Sequence, residues 1–274
     1  MPIVSIDGVV VPADEARISV FDRGLLYGDG CFEVFRTWDG VAKDLEPHLD
    51  RLYEAVKFLQ LKAIERPKLV DAIYRTIGKA GPGEHRIRVM LTRGAGGLGS
   101  RFAELPRGHA IVIVDELPPQ PEEMALAVVD WPLPRRTGPG YKTLAYLDPL
   151  IARELARAAG ADDAIRLDAA GHVLEGATCN LFVIVAGTVV TPPVDRGALP
   201  GIVRARVLAL CERVGAKSAV RDLTLRELRS AEELFVTSSL RGVVPVTRLD
   251  GAMRTPGSIT RRLEHAYATA MRPV

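Results

Sequence analysis

The sequence predicts a mixed α/β fold in two domains, and three observations lead to that prediction. Short apolar segments typical of strands alternate along the chain with segments of helical period. The tract Leu117-Pro118-Pro119-Gln120-Pro121 interrupts this alternation, because its prolines remove hydrogen bonds that a strand or a helix needs. At 274 residues the chain is long enough for two modest cores. We therefore expect a small N-terminal α/β domain over residues 1–117, a linker over 118–123 and a larger C-terminal domain over 124–274.

The strands of the first domain are indicated by apolar runs beside tight-turn dipeptides. Asp7-Gly8 and Asp39-Gly40 are the pairs that two-residue hairpin turns favour. The predicted strand segments are Ile3–Val11 as a hairpin, Phe32–Trp38, Val41–Lys43, Arg86–Thr92 and Ala110–Asp115.

Two helices of this domain are indicated by apolar residues that recur every three to four positions. The first set is Leu45, Leu49, Leu52, Val56 and Leu59. The second helix, Pro67–Lys79, begins with a proline and is closed by Gly81-Pro82-Gly83, as helix boundaries commonly are.

The second domain begins with an irregular segment, Trp131–Gly140, whose prolines and glycines deliver the chain to Lys142. Asp148-Pro149 then predicts a helix N-cap followed by a first-turn proline. The segments predicted after it are strands at Ala164–Asp168, Val173–Glu175, Leu181–Val185, Glu233–Ser238 and Val243–Val246, and helices at Gly201–Val214 and Ser258–Met271.

Composition excludes several classes of function. Net charge is +2 from 36 basic and 34 acidic residues, so no strong field favours nucleic acid or a membrane surface. We expect no signal peptide and no membrane span. The three cysteines have no metal-site spacing and are odd in number, which favours a reducing, cytoplasmic location and no metal.

Three motifs carry the chemistry: Lys142, the run Glu175-Gly176-Ala177-Thr178-Cys179-Asn180, and the turn Leu199-Pro200-Gly201-Ile202-Val203. A lysine can hold an aldehyde as a Schiff base, and a carboxylate can keep a pyridine nitrogen protonated. A glycine turn that opens a helix presents free N–H groups to a phosphate. This set of groups suits pyridoxal phosphate.

At these residues the chain resembles the class IV aminotransferases, the fold-type IV pyridoxal phosphate enzymes. That family includes branched-chain aminotransferases, D-amino-acid aminotransferases and 4-amino-4-deoxychorismate lyases. The resemblance extends from Tyr27 to about Pro245, and it implies the two-domain fold-type IV architecture. It also implies that Lys142 forms the Schiff base and moves the substrate proton, while Glu175 pairs with the ring nitrogen.

The resemblance assigns the remaining cofactor contacts. Asn180 is similar to the residue that hydrogen-bonds the cofactor's phenolic oxygen, and Tyr146 is either a second partner of that oxygen or a packed helix tyrosine. Arg51 lies in a run close to the family's Glu-x-His-x-x-Arg-Leu. The implied phosphate-binding groups are the Arg51 side chain, the N–H groups of Ile202 and Val203, and Ser238 or Ser239, which could equally be ordinary loop serines.

The N-terminal run Phe21–Glu33 is also similar to the family, and there it implies that Tyr27 and Phe32 line the substrate pocket. In the family this region often reaches the neighbouring subunit, which implies an obligate homodimer. The substrates implied are small amino and keto acids.

The substrate's carboxylate needs a cation, and this chain departs from the usual pattern. Typical D-amino-acid enzymes carry an arginine and a histidine where Leu98 and Ser100 stand. We regard Arg241 as the main substitute, because its loop resembles the one over the cofactor in relatives. Any of these arginines could instead be a solvated surface residue. The other candidates are Arg36, Arg88, Arg101, Arg135 and Arg136.

We predict a ping-pong transaminase with a preference for D-amino acids. The alternatives are first a 4-amino-4-deoxychorismate lyase, then a branched-chain L-amino-acid aminotransferase. A catalytically silent cofactor-binding protein is disfavoured by the intact Lys142 and Glu175. The run Gly94–Gly99 fits the dinucleotide pattern G-x-G-x-x-G, but no helix signal follows it, so we expect no dinucleotide site.

Overall fold

The computed structural model of the protein describes residues 1–131 and 140–272. The chain packs into two compact units, which are Met1–Pro119 with Tyr141–Tyr146, and Gln120–Gly140 with Leu147–Val274. Lys142 lies in the Tyr141–Tyr146 segment, so by its packing it belongs to the first unit.

The first unit is built on a five-stranded antiparallel sheet in the order β2-β1-β5-β4-β3. Its strands are β1 Ile3–Ile6, β2 Val9–Pro12, β3 Gly30–Arg36, β4 His85–Thr92 and β5 Ala110–Glu116. Asp7 (φ 53°) and Gly8 (φ 87°) both adopt the positive φ that a two-residue hairpin turn of matching twist requires.

Three helices belong to this unit: α1 Arg23–Tyr27, α2 Leu45–Leu59 and α3 Arg66–Ala80. Helix α2 packs on β3, whereas α3 packs on β1 and β5. The apolar stripes predicted from the sequence supply the core, in which Phe35, Leu49, Leu69, Ile73 and Ile87 are fully buried. After β4 the glycine-rich loop leads only to a short 3-10 turn at Phe102–Glu104, not to the helix that a dinucleotide fingerprint needs.

The second unit contains a nine-stranded mixed sheet in the order β11-β10-β9-β12-β13-β6-β7-β8, with β14 beside β13. Its strands are β6 Met124–Val128, β7 Asp163–Leu167, β8 Val173–Gly176, β9 Asn180–Val185, β10 Thr188–Thr191, β11 Lys217–Val220, β12 Glu233–Ser238, β13 Gly242–Leu249 and β14 Ala252–Met253. The pairs β10–β11, β13–β6 and β6–β7 are parallel, and the other pairs are antiparallel.

The helices of this unit are α4 Leu147–Ala158, α5 Ile202–Arg213, α6 Leu225–Ser230 and α7 Ser258–Met271. Helix α4 begins one residue earlier than its predicted cap, so the prediction of Asp148 as an N-cap was wrong. Asp148 lies in the first turn and its Oδ1 accepts from Trp131 Nε1 at 3.4 Å. Pro149 is tolerated there because first-turn N–H groups have no partner within the helix. In residues 1–131 and 140–272 we find no helix with the length and hydropathy that crossing a bilayer requires.

Candidate active site

Lys142 is held beside β3 by backbone hydrogen bonds of the first unit. Its carbonyl oxygen accepts from the Phe32 N–H at 2.9 Å, and the Leu144 N–H donates to the Gly30 carbonyl at 2.9 Å. Gly28 makes room for this segment, because a Cβ there would lie 2.8 Å from the backbone of Ala145. Hydrogen bonds to β3 therefore fix the backbone around Lys142.

The Lys142 amine lies among aromatic rings. Its Nζ is 4.8 Å from the Phe32 ring centroid and 5.0 Å from the Tyr146 centroid, and the two rings meet edge to face at 5.1 Å. The guanidinium of Arg88 lies 5.0 Å from the same Phe32 ring. The structure thus brings together four of the predicted residues of the first unit, two cations and two aromatic rings.

Arg36, Leu98 and Tyr27, also predicted as site residues of the first unit, have different surroundings. Arg36 stacks 4.0 Å from the Trp38 ring centroid and contacts Glu84 at 3.5 Å. Leu98 is 77% exposed, and half-exposed Tyr27 contacts the guanidinium of Arg23 at 4.8 Å. Among the other arginines predicted as candidates, Arg135 and Arg136 lie outside the described residues.

Arg51 is locked in a buried charge cluster with Glu33 and His48. Arg51 Nε donates to Glu33 Oε1 and its Nη2 donates to Oε2, both at 2.7 Å, while His48 Nδ1 is 2.8 Å from Oε2. Burial alone would raise the pKa of Glu33, but the charge and hydrogen bonds of Arg51, with the hydrogen bond of His48, lower it to about 2. Burial lowers the pKa of His48. A neutral His48 must then donate its Nδ1–H, since an ionised carboxylate only accepts.

In the second unit Glu175 is held from three sides. Its Oε1 accepts from Arg166 Nη2 at 2.7 Å. Its Oε2 accepts from Asn180 Nδ2 at 3.1 Å and from the Leu199 N–H at 3.0 Å. Asn180 Nδ2 also donates to the Leu199 carbonyl at 2.9 Å, so the motif Glu175–Asn180 and the turn before α5 form one network.

The turn before α5 depends on a glycine. A Cβ at Gly201 would lie 1.8 Å from Asn180 Oδ1, so no larger residue fits against that amide. Ile202 and Val203 follow as the first residues of a 12-residue helix, and first-turn N–H groups of a helix are donors for anions. Arg204, also buried, donates to the Pro192 carbonyl at 3.0 Å.

Ser238 ends β12, and the loop from there to β13 carries Ser239 and Arg241. Ser238 Oγ accepts from the Arg241 N–H at 3.4 Å. Arg241 Nη1 donates to Thr178 Oγ1 at 3.4 Å, and that hydroxyl donates to Asp163 at 2.6 Å. The predicted arginine therefore lies next to the Glu175–Asn180 run, within the second unit.

Sequence reasoning missed two residues of these networks, Glu33 and Arg166, as partners of predicted site residues. Alternation in β3 could have indicated Glu33, because a charged residue stands in it between the buried Phe32 and the apolar Val34 and Phe35. The cysteines do not add a nucleophile: Cys31 and Cys179 are buried, and burial raises the pKa of both thiols. Among the described residues no group of three or more His, Cys, Asp or Glu could hold a metal ion.

Comparison with known proteins decides the family. Residues 30–249 match the family model described as "Amino-transferase class IV". The chain belongs to the class IV aminotransferases. A Methanocaldococcus jannaschii protein named "Putative branched-chain-amino-acid aminotransferase" is 34% identical over 96% of this chain and 94% of its own. The D-alanine aminotransferase of Bacillus licheniformis is 28% identical, over 98% of this chain and 96% of its own.

A solved structure agrees with these matches. A branched-chain amino acid aminotransferase from T.th., in complex with N-(5'-phosphopyridoxyl)-L-glutamate, superposes with a TM-score of 0.89 at 29% identity. The match covers 98% of this chain and 93% of that chain. The predicted α/β fold of the fold-type IV class is thereby confirmed, as is the prediction of an aminotransferase that uses pyridoxal phosphate and acts on amino and keto acids.

The groups present in this class IV aminotransferase fit that cofactor. The first unit offers an amine among aromatic rings and an arginine that is mostly shielded from solvent. The second unit offers a buried carboxylate and a glycine turn at a helix N-terminus. These groups match the three parts of the cofactor that need protein partners, which are the aldehyde, the phosphate and the pyridine nitrogen.

Proposed function

We propose that this aminotransferase moves amino groups between apolar L-amino acids of the branched-chain class and 2-oxo acids, by a ping-pong route. The observation that carries the proposal is the aromatic cluster at Lys142, in which an amine, two rings and Arg88 lie together. Aromatic walls favour an apolar side chain, and a neighbouring guanidinium favours a carboxylate.

Lys142 is proposed as the residue that bonds to the cofactor's aldehyde and then moves the proton at the substrate's Cα. When bound, the cofactor supplies an electron sink for the pair released as the Cα–H bond breaks. The Lys142 backbone is hydrogen-bonded to Phe32, and this restricts the positions that the Lys142 amine can reach. The restriction supports proton transfer on one side of the substrate only. Tyr146, edge to face with Phe32, is proposed as a hydrogen-bond partner of the phenolic oxygen.

Glu175 and Asn180 are proposed as the partners of the ring nitrogen and the phenolic oxygen. The three hydrogen bonds to Glu175 support this, because they hold the carboxylate in one orientation. The proposed phosphate donors are the Arg51 guanidinium, the N–H groups of Ile202 and Val203, and the hydroxyls of Ser238 and Ser239. Arg51's fixed charge and the α5 N-terminus both suit a dianion.

Arg88 is our first candidate for the substrate carboxylate, since it shares the Phe32 ring with Lys142. Arg241 is the second candidate, supported by its position beside Thr178. Phe32 and Tyr27 are proposed to line the substrate pocket. Arg36 and Leu98 are proposed as more distant contributors to the same pocket.

A homodimer, a cytoplasmic location and the domain division at residues 118–123 are also proposed. The homodimer is supported by large apolar side chains that are exposed together before and in α1. They are Val20, Phe21, Leu25, Leu26 and Tyr27. Such a cluster favours burial against a second copy. Light scattering of the purified protein should give twice the chain mass, and Leu25→Glu should shift the measured mass toward that of the monomer.

The proposed cytoplasmic location is supported by the three unpaired cysteines, which suit a reducing compartment.

The predicted preference for D-amino acids is not confirmed, because branched-chain enzymes are more prominent among the relatives. It remains the second candidate because D-alanine aminotransferases match over nearly the whole chain. The lyase alternative needs the same lysine but releases pyruvate.

One experiment separates the three functions. The purified holoenzyme is assayed with L-leucine, with D-alanine and with aminodeoxychorismate, each at matched concentration, and 2-oxoglutarate is the acceptor for the two amino acids. We expect the highest kcat/KM with L-leucine. A higher value with D-alanine would replace our substrate class with the D-amino-acid class, and pyruvate released from aminodeoxychorismate without transamination would establish the lyase.

A further inference from the structure

Arg166 and Glu175 are direct neighbours across the β7–β8 pair. The register aligns Arg166 with Glu175, so both side chains leave the same face of the sheet. Arg166 Nη2 donates to Glu175 Oε1 at 2.7 Å, and the two side chains are only 11% and 9% exposed. The contact is therefore built into the hairpin and shielded from water.

Stability alone does not account for this arginine. A buried ion pair loses solvation that its mutual attraction only partly restores, and well-packed apolar residues often do as well or better. Arg166 Nε is also buried without a hydrogen-bond partner among the described residues, which adds a cost that a β-branched residue would avoid. A buried charge with this cost is better explained by a role at the site than by packing alone.

The role of Arg166 follows from which hydrogen-bond donors each oxygen of the Glu175 carboxylate has. Asn180 and the Leu199 N–H both donate to Oε2, whereas Arg166 donates to Oε1. Donors on both oxygens prevent the carboxylate from rotating about its terminal bond. Arg204, from α5, adds a second positive charge that acts on Glu175. Positive charge nearby favours the anion over the neutral acid.

We propose that Arg166 is a positioning residue, which holds Glu175 as an oriented anion toward the cofactor's ring nitrogen. The proposal rests on the proposed role of Glu175. With Arg166 in place, the Glu175 carboxylate would be a poor acceptor for a proton on the ring nitrogen of the bound cofactor. Without Arg166 the carboxylate can turn and can accept that proton itself.

The test compares Arg166→Met, Arg166→Lys and Arg196→Met as holoenzymes. Arg196 is the control, since it pairs with Asp168 in the turn of the same hairpin and with Asp222, and neither of these ion pairs includes Glu175. For Arg166→Met we expect kcat to fall about tenfold with KM nearly unchanged, because one charge-assisted contact is lost. The pH midpoint of the cofactor's visible absorbance should rise by about half a unit or more, because a positive charge is removed. Arg166→Lys should restore most of both properties, and Arg196→Met should behave as the wild type.

A double-mutant cycle with Glu175→Gln shows whether Arg166 acts through Glu175. We expect Arg166→Met to add little further loss of kcat once Glu175 is Gln. The proposal is overturned if Glu175→Gln is slow while Arg166→Met keeps the kcat and the absorbance midpoint of the wild type, whatever its thermal stability. If Glu175→Gln itself is fully active, the proposed role of Glu175 fails instead. Should Arg166→Met not fold, Arg166→Gln replaces it in the same titration and cycle.

Discussion

Each unit of the molecule contains a buried carboxylate paired with an arginine, and the two pairs have opposite arrangements. In the first unit Glu33 supports Arg51, and the arginine is the group proposed to meet the phosphate. In the second unit Arg166 supports Glu175, and the carboxylate is the group proposed to meet the ring nitrogen. In our proposal the same kind of ion pair orients a cation in one unit and an anion in the other.

The two pairs also differ in how they are assembled. Glu33 reaches from β3 to a helix, so the pair depends on the packing of α2 on the sheet. Glu175 meets Arg166 across a single hairpin. We therefore expect loss of Glu33 to affect both the stability of the first unit and cofactor affinity, whereas loss of Arg166 or Glu175 should act mainly on catalysis.

The largest expected effect is on the stability conferred by Glu33. Its pKa is lowered from an ordinary value of 4.5 to about 2, so its stabilising effect is present above about pH 4.5 and is lost as pH falls toward 2. The shift corresponds to about 3 kcal/mol of unfolding free energy. Urea unfolding of the apoprotein should show Glu33→Gln less stable than the wild type by about this amount at pH 7. The difference should shrink as pH falls below 4.5. A difference independent of pH would mean that the Glu33 charge is not what stabilises the unit.

The next effect concerns Glu175. Glu175→Gln keeps the size and hydrogen-bonding capacity of the side chain but removes the charge that we propose faces the ring nitrogen. We expect kcat to fall by about a hundredfold, because an oriented charge at the reacting centre is lost. Cofactor content, measured after gel filtration, should stay close to that of the wild type. Full activity in this variant would show that another group faces the ring.

Cofactor affinity should respond to Glu33 through Arg51. Glu33→Gln leaves Arg51 with weaker orientation, so we expect the Kd of pyridoxal phosphate to rise by about tenfold to a hundredfold. Pyridoxal, which lacks the phosphate, should bind the variant and the wild type equally, and this is the control. Equal weakening for both ligands would indicate a general distortion of the unit and would remove the proposed link between Glu33 and the phosphate.

The smallest effect separates the two candidate arginines for the substrate carboxylate. Arg88→Ala should lower kcat/KM for L-leucine by about tenfold, since one charge-assisted contact is lost. A primary amine without a carboxylate should lose little. Arg241→Ala is the matched variant in the other unit, and we expect a smaller loss from it. The reverse order would assign the carboxylate to the loop between β12 and β13.

Much of the fold follows from local sequence patterns. The Asp-Gly pairs predicted both N-terminal tight turns, and the apolar repeat Leu45–Leu59 predicted α2 with its buried face. The predicted strand Val41–Lys43 was wrong, because only Val41 pairs, in an isolated bridge with Trp38. Lys142, Glu175 and Asn180 could be proposed as site residues because a chemical motif is readable without coordinates. Helix α6 was missed although Thr224 and Glu227 form a capping box, a signal visible in the sequence.

The contacts that the two supporting residues make could not be predicted with the same reasoning, although alternation in β3 marks Glu33 itself as unusual. Glu33 contacts Arg51 only when α2 packs on β3, and no local sequence pattern predicts that the two side chains meet. Arg166 lies in a hairpin, but a register shift follows it, between Arg166 and Leu167. Counting outward from the pair Leu167–Val173 would place Leu174 opposite Arg166 and miss Glu175. An irregularity of one residue therefore hid the contact.

The central claim is that Lys142 is the lysine that bonds to pyridoxal phosphate. Borohydride reduction of the holoenzyme makes that bond permanent, and peptide mass spectrometry then identifies the modified residue. We predict a single phosphopyridoxyl label on Lys142, with no label in Lys142→Ala treated in the same way. A label on any other lysine of the wild type, or none on a protein that binds the cofactor and transaminates, would contradict the account.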